Sequence, residues 1–393
     1  MRLKIVNARI YDPEPRPEGA ILLEDGKVLA VTDACGDFFA DRTLDAEGML
    51  AVPGFVDIHV HGGGGRSVME GAPEAVVQMA NAHARFGTTS ILPTAWTAPI
   101  PEIERAVDAV RAASALPCDA AIAGVHLEGP FLSPNQAGAQ QPGALRTPAQ
   151  GGWRELLDRW DGIRMMGVAP ELEGAQALAA ELERRGIVAS VAHSDADEAA
   201  MRRAVEWGFR DVTHVYSGCS TFTRRGGFRV PGVVECALAW EELTVQVIAD
   251  GCHLPKTMLK LIYNAKGADG IELITDGLDY AGCDLREGSR YTQLNGLDVI
   301  YEDGVMKLDG RQAFAGSVAT ADRLLRTMAD AGVPLRDALR MLTVNPARRI
   351  RLKNKGRIVP GGDGDVVLLD ARLNVTGVVS RGRVIRWERN ECT

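Results

Sequence analysis

The sequence predicts an α/β protein, a (β/α)8 TIM barrel with a small β-sandwich domain formed from both chain termini. Three features of its 393 residues point there. Apolar runs of five to eight residues alternate with helical patterns through the middle of the chain, which is how strands buried on both faces of a parallel sheet read. Both ends instead alternate apolar and polar residues around short turns, the mark of antiparallel strands with one wet face. Histidines and acids of the middle region gather at the C-terminal ends of the apolar runs, the rim on which barrels assemble their sites.

Residues 1–51 open the small domain, where the turn Asp25-Gly26 between Ala20–Leu23 and Val28–Val31 predicts a hairpin. Residues 350–393 repeat the style, with Asp365–Leu369 followed by Val378-Val379, the turn Arg381-Gly382 and Val384-Ile385. Two such terminal segments pair most economically with each other. Residues 52–349 form the barrel, with strands expected at Phe55–His61, Thr88–Pro93, Ala121–Glu128, Ile163–Ala169, Ile187–His193, Asp211–Val215, Leu243–Asp250 and Ile271–Asp276. Helices are expected at Pro73–Phe86, Pro101–Ala115, Pro148–Trp160, Ala175–Arg185, Asp195–Trp207, Gly232–Trp240 and Pro255–Ala265, several opened by proline or an acidic cap. The turn Asp303-Gly304, between Val299–Tyr301 and Val305–Leu308, predicts a hairpin inserted before closing helices at Val318–Ala331 and Leu335–Leu342.

A hydrophobic content of 46% supports a large core. The net charge of −8 gives no general attraction to polyanions, which argues against nucleic acid as a partner. An anionic substrate needs a local basic pocket. Cys35, Cys118, Cys219, Cys236, Cys252, Cys283 and Cys392 are odd in number and lack a C-x-x-C pair, so they read as reduced thiols. The chain opens on no apolar leader and holds no run of about 18 apolar residues. No membrane partner is expected, and the cytoplasm is the expected compartment.

Five of the seven histidines stand at or near strand ends. In Asp57-Ile58-His59-Val60-His61 the imidazoles are two apart, so they face one side of a strand and can share a cation. Gly62–Gly65 follows, where a bare backbone can approach a ligand. Glu128, in His126-Leu127-Glu128-Gly129-Pro130, can anchor or bridge a divalent ion. His126 lies one layer deeper and reads as a packed histidine behind it. His193 and His214 close the fifth and sixth strands and complete with Glu128 a Glu/His/His set that leaves a position open for water. Asp276 ends the eighth strand, where a general base belongs. His253, just past the seventh, can polarise a carbonyl or hold a substrate, whereas His83 on a helix face reads as structural. Each residue alone could be a satisfied core or surface group; their convergence on one rim favours a metal centre.

The segments Pro53–Gly62, His126–Ser133, Ala192–Ser194, Val212–His214, Ala249–His253, Thr275–Gly277, Ala315–Ser317 and Asn345–Arg348 span nearly the whole chain. In them the chain resembles the amidohydrolase superfamily, and more narrowly the N-acetylglucosamine-6-phosphate deacetylase family. The resemblance implies deacetylation of a small-molecule N-acetylamino sugar phosphate. It implies that Glu128, His193 and His214 hold one divalent metal, zinc first, with iron, cobalt or manganese as alternatives. His59 and His61 would allow a second ion, with Asp276 as a ligand and as the base that becomes the acid. His253 would orient the acetamide carbonyl.

Two departures bear on the substrate. Where the family carries Gly-Ala-His this chain has Gly138-Ala139-Gln140, and where it carries Asn-Ala-Met this chain has Ser217-Gly218-Cys219. Gln140, Ser217 and Gly218 are therefore expected at the sugar, and an epimeric or unphosphorylated N-acyl amino sugar is the alternative substrate. A non-catalytic ligand-binding barrel is a more distant one. The stretch Arg224–Gly232 occupies the family's phosphate-arginine region, with Arg229 or Arg225 as the match. Because a neighbouring subunit can supply this arginine in the family, the resemblance implies a homodimer.

Overall fold

The computed structural model describes all residues except 13–14, 34–37, 295, 311–313, 389–390 and 393. Parallel strands at Phe55–Val60, Thr88–Ala95, Val125–Glu128, Ile163–Val168, Val188–Val191, Asp211–Val212, Thr244–Ile248 and Ile271–Ile274 follow one another in chain order around a barrel. The predicted third strand is broken: Ala121-Ile122 pairs with the second strand, and Gly124, at φ 136°, turns the chain before Val125. Closure between the last strand and the first occurs at the C-terminal rim. There Asp276 N–H donates to His59 O at 2.9 Å and His61 N–H to Gly277 O at 2.8 Å. The backbone that shuts the barrel thus belongs to residues whose side chains were expected at the site.

The helices pack their apolar faces on the strands and end where their caps dictate. Asp197 accepts Ala200 N–H at 3.1 Å, so the fifth-strand helix starts at Glu198 rather than Asp195. Ala175–Arg185 stops at Gly186, which is left-handed at φ 71°. The helix expected at Pro148–Trp160 is instead a 3-10 turn, Pro148–Gln150, and a short helix, Trp153–Asp158. Gly151 and Gly152, at φ 74° and 87°, separate them. The closing helix begins at Ala321, and a further helix, Val344–Arg349, follows Leu335–Leu342. The inserted hairpin grows into a four-stranded sheet of Arg290–Thr292, Asp298–Glu302, Val305–Leu308 and Phe314–Gly316. A second hairpin, Thr223–Arg225 with Phe228–Val230, stands in solvent around Gly226-Gly227.

The chain termini meet as expected: Val366–Leu369 pairs antiparallel with Leu50–Pro53. The result is one nine-stranded sheet that branches along Arg2–Tyr11, which pairs with Arg42–Asp45 and then with Leu50-Ala51 on the same edge. It encloses a core of Leu3, Ile5, Ile21, Leu44, Val366 and Leu368. The five described cysteines, Cys118, Cys219, Cys236, Cys252 and Cys283, are free. Cys35 and the side chain of Cys392 lie outside the described residues. Among the described residues no helix is long and apolar enough to cross a membrane.

Charges are buried in the barrel wall as well. Arg349 Nε lies 3.1 Å from Glu272 Oε1 and 3.9 Å from Asp211 Oδ1. Burial raises the Glu272 carboxyl, Arg349 draws it back and Asp211 raises it again, leaving it at about 7. Its folded value therefore lies above its ordinary one, so the stabilisation is complete below the ordinary carboxylate range and is lost as pH rises through about 7. Glu272→Gln should flatten the fall in melting temperature between about pH 5 and 8, removing a contribution on the order of 3 kcal/mol. A thermal-melt series whose pH slope matches the parent's would show that Glu272 is not its source.

Candidate active site

The site begins as a backbone problem. His193, His214 and Asp276 each lie just beyond the last paired residue of a strand and each adopts a left-handed conformation, with φ of 41°, 28° and 47°. For a side chain bearing a Cβ this costs about 1–2 kcal/mol per residue. Such outliers concentrate where the surrounding fold forces a side chain into a functional direction. Here the turn drops each side chain over the barrel mouth.

The groups that converge there are almost wholly enclosed. His59, His61, Glu128, His193 and His214 are all less than 8% exposed. Glu128 Oε1 lies 2.7 Å from His214 Nε2 and 3.1 Å from His193 Nε2. His61 Nε2 lies 3.1 Å from Asp276 Oδ1 and 3.2 Å from Glu128 Oε2, and His59 Nε2 is 3.4 Å from Asp276 Oδ1. Two sets have ligand atoms close enough for one ion each: His59, Glu128 and His214, and His59, His61 and Asp276.

The outer nitrogen of each ring decides what the inner one can be. His61 Nδ1 lies 2.9 Å from Thr94 O, His193 Nδ1 2.7 Å from Gln136 O and His214 Nδ1 3.0 Å from Ser217 O. A backbone carbonyl only accepts, so each Nδ1 carries the proton. His59 Nδ1 is 3.3 Å from Gln246 Oε1, and Gln246 Nε2 donates to Asp211 Oδ2 at 2.6 Å, which fixes the amide with its oxygen toward His59. Four Nε2 atoms and two carboxylates therefore face one another, an arrangement that fits a divalent cation in place of the protons the rings otherwise share with the carboxylates.

Without a cation between them, these rings and carboxylates stabilise one another's charged forms. Burial would raise the Glu128 carboxyl, yet His59, His193 and His214 hold it well below the usual carboxylate range. Asp276 is likewise brought down to about 2 against its burial by His59 and His61. His61, which burial alone would lower, is raised to about 10 by Asp276 and Glu128. His193 and His126 belong to neither set, but His193 Nε2 still reaches Glu128 Oε1, whereas the His126 ring packs edge-on against His59 at 4.7 Å and burial pushes it well below its ordinary value.

A cavity of about 670 Å³ opens over this centre. Gln140, Ser217, Gly218 and His253 line it, as expected at the sequence level, together with Trp96, Thr97, Glu102, Gln293 and Phe314, which no motif marked. His253 Nδ1 is held by Asp250 Oδ2 at 2.8 Å, and Phe314 packs against its ring. Burial lowers this imidazole, but Asp250 outweighs it and the net shift is upward.

Gln140 is committed to its neighbours: its Nε2 donates to Glu128 Oε2 at 2.8 Å and its Oε1 accepts Thr97 N–H at 2.9 Å. Gly218, at φ 56°, has no room for a side chain, since a Cβ there would lie 2.5 Å from His193 Nδ1 and 3.1 Å from Gln136 O. Arg225 and Arg229 do not join the cavity of their own chain. They stand on the exposed hairpin, with Arg225 Nη1 paired to Asp197 Oδ2 at 2.9 Å.

The amidohydrolase family profile matches residues 50–385. An N-acetylgalactosamine-6-phosphate deacetylase of Shewanella sp. (strain ANA-3) is 34% identical over 85% of this chain and 82% of its own length. The N-acetylglucosamine-6-phosphate deacetylase of Lysinibacillus sphaericus is 29% identical over 98% of both chains. Among solved structures, N-acetyl-D-glucosamine-6-phosphate deacetylase from Mycobacterium smegmatis superposes with a TM-score of 0.87 at 31% identity, over 98% of this chain and 99% of that one. A mutant of that enzyme has been solved with N-acetyl-D-glucosamine-6-phosphate bound. On its folded barrel, its matched profile and these full-length relatives, the chain belongs to the amidohydrolase family, within the N-acetylglucosamine-6-phosphate deacetylase branch.

Proposed function

We propose that the protein hydrolyses the acetamide of an N-acetylhexosamine 6-phosphate, N-acetylglucosamine 6-phosphate first, to acetate and the free amino sugar phosphate. The observation that carries this reading is the convergence of Glu128, His193, His214 and Asp276 beneath a cavity that His253 also lines. Glu128, His193 and His214, with both rings within 3.1 Å of Glu128 Oε1, would hold one divalent metal, zinc by the character of the donors, and His59, His61 and Asp276 offer a second position. When bound, the metal makes water acidic near neutral pH and draws charge from the amide oxygen.

The chain's own residues supply the rest. Asp276, turned over the cavity at the end of the eighth strand, takes the proton of the attacking water and returns it to the departing nitrogen. His253, whose Nδ1 is anchored on Asp250, offers its other nitrogen to the carbonyl. Trp96 and Phe314 wall the cavity and limit the water around the reacting bond.

The phosphate needs positive charge that the cavity lacks, since no lysine or arginine stands among the described residues lining it. The exposed hairpin is the source we favour, reaching from a second copy with Arg229 or Arg225. Phe228 and Phe222 on that arm are 80% and 52% exposed, as expected of a surface that another subunit covers. The reading is therefore of a homodimer, and the free cysteines suit a reducing cytoplasm.

One finding favours a second substrate, the C4 epimer. The Shewanella relative, at 34% identity, deacetylates N-acetylgalactosamine 6-phosphate, and Gln140 is turned toward Glu128.

Purified protein with added zinc should release acetate from N-acetylglucosamine 6-phosphate and lose that activity on chelation. Equal or faster release from the galactose epimer would transfer the assignment to it, and release from neither would remove both. Asp276→Asn should lower kcat by on the order of 10³-fold or more with little change in KM; a rate near the parent's would take the base role from Asp276. Arg229→Ala or Arg225→Ala should raise KM about tenfold for the phosphorylated sugar only. A KM that both substitutions leave alone, or a monomer in sedimentation, would refute the arm as the phosphate clamp.

A further inference from the structure

We propose that the end of the barrel opposite the catalytic mouth holds a second ligand site, for a small phosphate-bearing metabolite, built on Arg210, Arg348 and Arg351. A cavity of about 390 Å³ opens there, lined by Ile187 and Val188 where the fifth strand begins and by Arg210 just before the sixth. His193 and His214 lie past the other ends of those same strands. The two cavities are thus a strand length apart and share no lining residue.

Charge sets this cavity apart from the rest of the surface. The chain carries a net −8, yet Arg348–Arg357 holds six cations and no acid. Four guanidinium groups, Arg210, Arg348, Arg349 and Arg351, line the cavity against the single carboxylate of Glu183. Arg349 is spent on buried Glu272. Among the described residues the Arg210 guanidinium gives its hydrogen bonds to Val205 O and Phe209 O, and that of Arg348 to Asp269 O, none of them a carboxylate. Arg351 meets no carboxylate among the described residues. Several surface arginines elsewhere are neutralised locally, as Arg66 is by Glu70, Arg159 by Asp108 and Arg185 by Asp158.

The backbone holds Arg351 in place at a cost. Its φ of 60° is left-handed, and its Nη1 lies where a Cβ on Gly186 would approach to 2.8 Å. A strained non-glycine residue and a bare glycine thus cooperate to bring one more uncompensated cation to a cavity already rich in them. Guanidinium groups pair with phosphate oxygens through parallel hydrogen bonds, and this volume suits a small ligand. Glu183 would meet hydroxyl groups rather than the phosphate. A bounded cavity of this volume suits a small molecule better than a polynucleotide.

The test is arginine modification by phenylglyoxal on the metal-loaded wild-type protein, read peptide by peptide by mass spectrometry. Glucose 6-phosphate should slow modification of Arg348 and Arg351 by about tenfold, equivalent to roughly 1.4 kcal/mol of protection, while sodium chloride of equal ionic strength should not. Equal protection by inorganic phosphate would support the site and identify the phosphate group as what it reads. Protection by neither phosphate, by sodium chloride to the same extent, or by an oligonucleotide alone would overturn the proposal. Titration calorimetry gives a second reading: the Arg348→Gln/Arg351→Gln variant should bind one fewer equivalent of glucose 6-phosphate than the parent. An unchanged stoichiometry would count against the site. Because the readout is binding at these arginines, failure here would leave the deacetylase reading untouched.

Discussion

An imidazole can offer a cation only one lone pair, and only if its other nitrogen has somewhere to put a proton. At this barrel mouth four rings meet that condition in the same way: Thr94 O, Gln136 O, Ser217 O and Gln246 Oε1 each accept the Nδ1 proton. Three of the four acceptors are backbone oxygens, Thr94 O in the second strand and Gln136 O and Ser217 O in loops beyond the strands, so the loops help to set the tautomers and not merely the positions. A loop residue that moved its carbonyl would release a ring to take the wrong proton. The local fold is therefore arranged around keeping those oxygens still.

The fourth acceptor extends this constraint through the barrel. Gln246 is fully buried, and its amide can satisfy His59 only because Asp211 receives the other end. Asp211 in turn takes Ser190 Oγ at 2.6 Å and lies 3.9 Å from Arg349. A charged chain of this kind inside an apolar barrel is tolerable only when each member is paired, since an orphaned buried carboxylate is far more costly than a paired one. It also explains why polar residues interrupt strands otherwise made of valine, isoleucine and leucine.

What could be read beforehand follows from these rules. The ring pair at His59 and His61, and the carboxylate at Glu128, stood out because strand alternation and an apolar background make a polar residue conspicuous. Gln246 was equally conspicuous in Val245-Gln246-Val247-Ile248, but its role depends on which strand lies across the barrel, and that is a matter of closure. The left-handed turns at His193, His214 and Asp276 had no signal, because only tertiary packing compels a residue with a Cβ to adopt them. Gln140 was expected at the sugar; its bonds to Glu128 and Thr97 depend on how far a loop folds inward, which its composition does not encode. The helix at Val344–Arg349 was too short, at six residues, to show a period.

The tight fit at Gly218 has a consequence for how this chain can change. The family's alanine cannot enter at 218 while Gln136 O and His193 occupy that space, yet the loop that positions Gln136 also carries Gln140. The two departures from the family pattern are therefore one structural unit, and their effects will not add. An alanine at 218 would have to displace His193 or the loop that carries Gln136 and Gln140.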